Sequence, residues 1–434
     1  MAAMVAPAAR WPAGVLPARS PRRAPTAGAA RPARSTGPSL ADVRVSELVG
    51  SMAVQTVQAP AGGGVSLEAP KAEMVPGVVN FYAGVLDLGQ LTCRLLLKEY
   101  PTTTRSLGVN EIRAYGELLG PQEGFFTELL RQAAQEMEAG AEQGWEQPVP
   151  PLYAAFEAYL AEAGEPGGGR QLQATVDESG EGGASPSVWL AFRYGEHGTT
   201  TLLDFQAAHL SARKAAAKEA WLRRTGSTTD DYGKNLRSVL CILMPFERVP
   251  EDPSARWAAY VRAAMRGSLR ALARAHGDGV AHGSLSGACL LVNTVAPEEA
   301  AALRVRLYNF GYASLPLLDQ EGPQAAAQAF REDIFNLGLA FADLLFPSMA
   351  AAGTDFRRVA VDVYDCDMQA VAEFVAEEEP WGAALLSERQ GAGWELLRAM
   401  LLRGGSGSGG GLDTLVIPDA AQRLLRSRFF DDSG

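Results

Sequence analysis

The chain has 434 residues, of which 47% are hydrophobic and 21% charged, and its net charge is −11. This length suits one two-lobed domain with extensions or two to three smaller domains, and the composition excludes fibrous and wholly disordered proteins. The charged residues among residues 1–41 are six arginines, so subtracting their six positive charges from −11 leaves −17 for the remainder. Such an acidic body, without an evident basic patch, argues against nucleic-acid binding.

The first 50 residues predict an organellar transit peptide or a disordered leader. They are rich in Ala, Arg, Pro and Ser and lack acidic residues before Asp42. Frequent prolines would interrupt the amphipathic helix of a mitochondrial presequence, so the prediction is a chloroplast protein, with the mitochondrion or a simple disordered tail as alternatives. Residues 51–77 are interpreted as a linker with a possible first strand.

Several elements follow in chain order. LTCRLLLKEY (91–100) and SVWLAFRY (187–194) are predicted buried strands, while residues 125–145, within a segment near 120–147, have the apolar spacing of a helix. Residues 256–276 are a second predicted helix. The Gly-rich and Ser-rich stretches 164–187 and 403–411 are predicted flexible loops.

The four cysteines, at positions 93, 241, 289 and 366, are far apart and form no C-x-x-C pair. This spacing predicts neither a zinc site nor a disulfide framework. No apolar run approaches the roughly 18–20 residues that a membrane-spanning helix needs, so no transmembrane segment is predicted.

The segment 276–314 carries the most informative pattern. A helix ends at a Gly-containing turn, a loop beginning with His follows, and two short hydrophobic strands flank a hairpin that ends in Asn-Phe-Gly. This order resembles the protein kinase superfamily, with its catalytic loop H-R-D-L-x-x-x-x-N and its metal-binding D-F-G. The motif positions are occupied here by His282 (His), Ser284 (catalytic Asp), Cys289 (Asn), and Asn309, Phe310 and Gly311 (Asp-Phe-Gly).

Other landmarks of the same family occur in the expected order. Lys98 resembles the strand lysine of V-A-I-K and Glu111 its partner on the following helix. Phe192 and Tyr194 are similar to the gatekeeper and hinge, Asp333 to the residue that anchors the helical lobe, and residues 419–430 to the closing helix with its aromatic pair.

The replaced residues are those on which phosphoryl transfer depends. The reaction needs Mg²⁺ held by carboxylate and amide oxygens, but Asn309 supplies a neutral carbonyl and Cys289 a soft sulfur. Ser284 has no basic form near neutral pH that could accept the proton of a substrate hydroxyl. The resemblance therefore implies degenerate catalytic positions, no metal site, and loss of Mg²⁺ affinity.

Part of a nucleotide cleft remains in the resemblance. Lys98 and Glu111 could hold ATP phosphates, or could form a purely architectural pair. Leu96 would narrow the adenine slot opposite Leu291, and no G-x-G-x-x-G loop is present. ATP is therefore expected to bind weakly or without metal, if it binds.

The resulting prediction is an α+β, bilobal, kinase-like fold with a small β-rich N-lobe (78–194) and a larger helical C-lobe (195–430) that contains an insertion near 206–256. The predicted function is that of a pseudokinase, a binding, scaffolding or regulatory module with protein partners; the insertions are candidate docking surfaces. The first alternative is an atypical kinase that takes a carboxylate from elsewhere, for example Asp278. The second is an unrelated structural protein of plastid complexes.

Overall fold

A computed structural model of the chain describes residues 43–58, 73–87, 92–119, 149–150, 152–160, 170–173, 186–193, 200–211, 215, 253–316, 322–401 and 419–431. The chain divides into two units, with the main division between residues 196 and 197. The short segment Asn309–Ser314 belongs to the first unit, although the residues on both sides of it belong to the second.

The first unit is built on a closed sheet of six antiparallel strands. Their spatial order is β1-β2-β3-β6-β4-β5, and β5 pairs with β1 to close the sheet. β1 and β2 form a long hairpin that pairs from Val43 with Leu86 to Gln58 with Glu73. The bounds are β1 Val43–Gln58, β2 Glu73–Asp87, β3 Thr92–Tyr100, β4 Leu152–Leu160, β5 Arg170–Gln173 and β6 Ser187–Arg193.

Alternation of side chains along β3 separates two environments, because successive residues of a strand point to opposite faces. Leu95 and Leu97 belong to an apolar cluster with Trp189 and with residues of the other strands. Leu96, Lys98 and Tyr100 occupy the opposite face of the strand. The helix α1 (Arg105–Leu119) follows β3 after one short turn of 3-10 helix and contacts that strand.

The second unit is mainly helical. One small sheet pairs β7 with β8 in antiparallel register, and an isolated bridge joins Leu291 of β7 to Thr201. The bounds are α2 202–211, α3 Pro253–Gly277, β7 Leu290–Val292, β8 Val305–Leu307, α4 Pro323–Leu345, α5 Pro347–Ala351, α6 Met368–Glu378, α7 Pro380–Leu401 and α8 Ala420–Leu424. Residues Arg389–Gly391 inside α7 have positive φ and divide it into two helical arms.

These elements confirm the predicted α+β fold class, with a β-rich first unit and a helical second unit. The strands near 91–100 and 187–194 and the helix over 256–276 are confirmed. The predicted hairpin before Asn-Phe-Gly is the β7–β8 pair, and the aromatic pair of residues 419–430 is Phe429 and Phe430, both buried.

Two segments differ from the sequence prediction. β1 begins at Val43, inside the segment 1–50 assigned to a leader. Of the segment 51–77, predicted as a linker with a possible first strand, residues 51–58 belong to β1 and residues 73–77 to β2. Arg170–Gln173, inside the predicted loop 164–187, forms β5 because Leu172 is buried in the apolar cluster. The helix near 120–147, most of the insertion 206–256 and the loop 403–411 lie outside the described residues.

Within the described ranges, no helix combines the length and the hydropathy needed to cross a membrane.

Asp343 on α4 gives a testable pH dependence. Burial raises its pKa to about 6 from 3.8, and the nearby Asp355 carboxylate adds to the rise. Because the folded-state pKa is the higher one, the stabilising effect of protonation is complete below the unfolded pKa and is lost as the pH rises through about 6. We expect Asp343→Asn to increase the free energy of unfolding by about 1 kcal/mol near pH 4.5 and by about 3 kcal/mol near pH 7.5.

Urea unfolding at the two pH values measures this change. The exposed Asp362 provides a matched control, and Asp362→Asn should give no pH-dependent gain. An Asp343→Asn gain that is equal at both pH values would contradict the assigned titration.

Candidate functional site

The site in the first unit is centred on the ammonium group of Lys98. Its side chain is fully buried and forms an ion pair with the equally buried Glu111 of α1, with 2.6 Å between Lys98 Nζ and Glu111 Oε2. The rings of Tyr100 and Phe81 lie 4.9 Å and 5.7 Å from the same nitrogen. The predicted pairing of Lys98 with Glu111 is therefore present, in an environment from which water is excluded.

Tyr100 completes this arrangement from the same face of β3. Its hydroxyl donates a hydrogen bond to Glu111 Oε2, the oxygen that also accepts from Lys98. The other carboxylate oxygen, Oε1, is buried and has no hydrogen-bond partner among the described residues. A charged carboxylate in this position depends on its cation, because an unpaired buried charge is costly.

Asn309 is a further polar partner of Lys98. Its Oδ1 accepts from Lys98 Nζ at 2.7 Å, and its Nδ2 lies 3.6 Å from the sulfur of Met52 on β1. The backbone of Asn309 is left-handed, with φ 72° and ψ 59°, a conformation that Asn adopts more readily than most residues. Both ends of the amide are thus engaged by side chains of the first unit.

Phe310 and Gly311 hold the segment after Asn309 against α1. The buried Phe310 ring meets the Tyr115 ring edge-on at 5.6 Å, and Tyr115 in turn lies 5.5 Å from Phe192. A Cβ atom at Gly311 would lie 3.3 Å from the Tyr100 hydroxyl, so a larger residue would crowd the hydroxyl that binds Glu111.

Tyr312 attaches the same segment to β1. Its hydroxyl accepts a hydrogen bond from the Gln55 N–H at 3.1 Å and donates one to the Gln55 carbonyl at 2.9 Å. Together with the contact between Asn309 and Met52, this places two successive parts of the segment on one strand, β1.

In the second unit, Asp333 of α4 organises the loop around His282. Its carboxylate accepts from the backbone N–H of His282 at 2.6 Å and of Gly283 at 2.8 Å, and it lies 3.1 Å from His276 Nε2. His282 Nε2 is 2.9 Å from the carbonyl oxygen of Tyr308. The predicted anchoring geometry of Asp333 is present, with both side chains of the Asp333–His276 pair fully buried.

The remaining predicted positions of this unit have ordinary packing contacts. Cys289 is buried, and its sulfur donates to the carbonyl of Ser284 at 3.2 Å and lies 3.6 Å from the Ser286 hydroxyl. Leu291 is buried in β7.

Leu96, also buried, pairs with Phe192 across β3 and β6 in the first unit. The adenine slot between Leu96 and Leu291 stays a prediction, and Tyr194 lies outside the described residues.

The side chains around Asn309 do not fit the Mg²⁺ ion that protein kinases hold at the Asp-Phe-Gly position. Mg²⁺ in proteins prefers carboxylate oxygens and water, whereas the described neighbours of the Asn309 amide are an ammonium and a thioether. Elsewhere in the described ranges, no three His, Cys, Asp or Glu side chains are grouped as metal ligands would be.

Six residues of the first-unit site were absent from the sequence prediction: Met52, Gln55, Phe81, Tyr100, Tyr115 and Tyr312. Tyr100 could have been found, because it lies two residues after Lys98 on the same strand face. The contacts of Met52 and Gln55 depend on the register of β1, and no local pattern indicates that register.

Comparisons with known proteins add little to this geometry. No family model matches the chain, and no curated protein sequence matches it. Among solved structures, one described as the Rad53 kinase domain and SCD2 has 12% sequence identity and a TM-score of 0.36, over 82% of this chain and 88% of that one. At that similarity it carries no information about activity.

The buried pair gives a stability prediction. Lys98→Met leaves Glu111 buried without its cation, so we expect a loss of about 3–5 kcal/mol in the free energy of unfolding. The double variant Lys98→Met/Glu111→Gln leaves no buried charge and keeps an acceptor for Tyr100, so it should lose clearly less than the single variant.

Urea unfolding of the single and double variants measures this difference. Arg44→Met at the exposed Arg44–Asp87 pair is the control, with an expected loss below about 1 kcal/mol. The interpretation fails if Lys98→Met costs no more than Arg44→Met.

Proposed function

We propose that the chain is a non-catalytic, kinase-like binding or scaffolding module, in which the Lys98–Glu111–Asn309 cluster stabilises the fold and does not bind phosphate. The observation that carries the proposal is the complete burial of Lys98, whose ammonium contacts Glu111 and Asn309. The pair with Glu111 alone is compatible with phosphate binding, but the ammonium also donates to the Asn309 amide, a neutral group at the position where kinases have a metal-binding carboxylate.

The loss of the carboxylate at position 309 supports the same proposal. An aspartate there would place a second anion beside Glu111 and would leave oxygen lone pairs for Mg²⁺. The amide of Asn309 instead accepts from Lys98 without adding charge, so the cluster contains one cation and one anion. Such a neutral buried cluster is suited to a permanent structural role.

The tether between Tyr312 and Gln55 also favours a fixed segment. In an active kinase the segment after D-F-G helps to arrange the metal and the substrate. Here the hydroxyl of Tyr312 is bonded to both the N–H and the carbonyl of Gln55 on β1. Nucleotide would have to compete with these contacts within the first unit. We therefore propose that ATP, if it binds, acts as a weak or metal-independent ligand.

An atypical kinase with residual activity is the second candidate, and Asp278 is the feature that would favour it. Burial raises the pKa of Asp278 and the positive charge of Arg274 partly offsets that rise. Asp278 follows the last turn of α3, four residues before His282 in sequence. This candidate predicts phosphate transfer that is lost in Asp278→Asn as well as in Lys98→Ala.

ATP binding separates the two candidates. We expect the melting temperature of the full-length chain to be unchanged by millimolar ATP with or without Mg²⁺ or Mn²⁺, and no phosphate transfer to a protein substrate. Asn309→Asp alone should not create a metal-dependent shift, because Cys289 still supplies a soft sulfur at the second metal-ligand position. A metal-independent shift would assign a nucleotide-sensing role to the module. A metal-dependent shift with turnover, abolished by Lys98→Ala, would overturn the proposal.

We also propose a plastid location, on the basis of the Arg-rich, acid-free composition of residues 1–41. Residues 1–42 fused to a fluorescent protein should direct it to chloroplasts in plant or algal cells, and replacing the six arginines by glutamine should abolish this import. Accumulation in mitochondria, or a diffuse signal, would contradict the location.

A further inference from the structure

An exposed apolar surface lies at the turn between the π-helical segment Arg358–Val363 and α6. Val363 is the most exposed large apolar side chain among the described residues, with a relative exposure of 62%. Asp365 and Cys366, which follow in the turn, have left-handed backbone with φ of 47° and 60°. The chain then enters α6 at Met368. The valine therefore lies beside a tight turn.

Two aromatic rings adjoin Val363 and complete the apolar surface. Tyr364 follows the valine directly, and its ring lies 6.0 Å from the ring of Phe374 on α6. Both rings are half-buried, and the Tyr364 hydroxyl has no hydrogen-bond partner among the described residues. Such rings bury a large area with few rotatable bonds, so they contribute strongly when a partner covers them. We call Val363, Tyr364 and Phe374 the turn surface.

Four exposed carboxylates flank the turn surface. Asp362 and Asp365 precede and follow its first two residues, and Glu377 and Glu378 lie three and four residues after its phenylalanine, on the same side of α6. None of these four side chains has a hydrogen bond or ion pair with a residue that the structure describes. Residues 359–388 contain no Lys or Arg, so neighbours in sequence do not neutralise this charge.

The position of Glu377 and Glu378 opposes the stability of their helix. Both lie in the last turn of α6, which has no basic residue, and the carbonyl end of a helix dipole is negative. Each carboxylate is therefore disfavoured by the dipole and by the like charge beside it. Contact with a cation relieves this repulsion, which makes a basic partner the complementary occupant of the turn surface.

We propose that the turn surface docks an apolar segment of a partner protein that carries lysine or arginine beside its apolar residues. Covering Val363 and the two rings removes apolar area from water, which supplies affinity. The flanking carboxylates attract the cations of that segment and select it over neutral or acidic ones. Exposed apolar patches with a polar rim mark protein interaction sites of this kind.

Charge and chemistry disfavour the other occupants. In a two-fold contact a second copy of the chain would place the same carboxylates against one another. Nucleic acid and anionic lipid surfaces carry charge of the same sign as the flanking residues. A metal ion is disfavoured because, within the described ranges, no three His, Cys, Asp or Glu side chains are grouped as ligands. An apolar segment with cations matches both the apolar and the anionic parts of the surface.

This inference rests on the proposed role as a binding module and adds the chemistry of the partner. The turn surface lies in the second unit, whereas the Lys98 cluster lies in the first. The ATP experiments and the peptide experiment use different ligands and different residues. Failure of the peptide experiment therefore rejects this surface alone, and ATP turnover would overturn the nucleotide proposal alone.

The test measures binding of a fluorescent peptide of leucine and lysine, with the leucines at helical spacing, to the full-length chain by fluorescence anisotropy. Two comparison peptides have glutamate in place of lysine or serine in place of leucine. We expect the leucine–lysine peptide to bind most tightly, because only it carries both features, and its affinity to fall as salt screens the exposed charges. Equal or tighter binding of either comparison peptide, or no binding of the leucine–lysine peptide, would overturn the proposal.

Removal of charge from α6 localises the binding. Glu377→Gln/Glu378→Gln should weaken it by roughly fivefold, since each exposed charge pair changes an affinity by about twofold to threefold. This variant should melt no lower than the parent, because it removes negative charge from a helix C-terminus. Glu298→Gln/Glu299→Gln is the matched control, because these exposed glutamates are also adjacent and belong to another element of the same unit. It should leave the affinity within about twofold of the parent, and equal weakening by both double variants would contradict the assigned surface.

Val363→Ser tests the apolar part of the surface. It should weaken peptide binding by roughly fivefold through loss of apolar area, and the melting temperature should not change because the side chain is exposed. Val109→Ser on α1, at a valine of the first unit that is 42% exposed, is the control and should not weaken binding. The proposal fails if the two valine variants bind the peptide equally well. Sedimentation of the free chain covers the remaining occupant, since a dimer that Val363→Ser dissociates would assign the turn surface to a second copy and overturn the proposal.

Discussion

The first unit depends on one constraint: a fully buried ammonium group must have anionic and polar partners within its own fold. Lys98 obtains them from α1, through Glu111, and from the segment after β8, through Asn309. Removing either charge would leave the other without compensation in a medium of low polarity, at a cost of several kcal/mol. The positions of β3, α1 and the Asn-Phe-Gly segment relative to one another are therefore coupled through a single nitrogen atom.

The same constraint explains why the chemistry of the cluster differs from that of a phosphate site. Glu111 already shares one oxygen between Lys98 and Tyr100, and the Asn309 amide lies between Lys98 and Met52. With these contacts in place, the strongest donors of the cluster are directed inward. In the second unit Asp333 has a comparable role, because its two oxygens fix consecutive backbone N–H groups and one imidazole.

Part of this arrangement could be predicted from the sequence, through its resemblance to the protein kinase superfamily. The order of motifs implied that Lys98, on an apolar strand, pairs with Glu111 on the helix that follows. The same resemblance implied that Asp333 anchors the loop around His282. By contrast, β1 and β5 are positioned by pairing with residues distant in the chain. The buried Leu172 of β5 lies between Gly-rich stretches, which predicted a loop and not a strand.

The bond between Tyr312 and β1 has a consequence for sequence variation. The Tyr312 hydroxyl bonds to the main-chain N–H and carbonyl of residue 55. The contact therefore does not depend on which side chain residue 55 carries. Only proline, which lacks the N–H, would remove half of it. Substitutions at residue 55 are therefore tolerated, whereas the tyrosine at position 312 is required. Related chains should show a variable residue at position 55 and an invariant tyrosine at position 312.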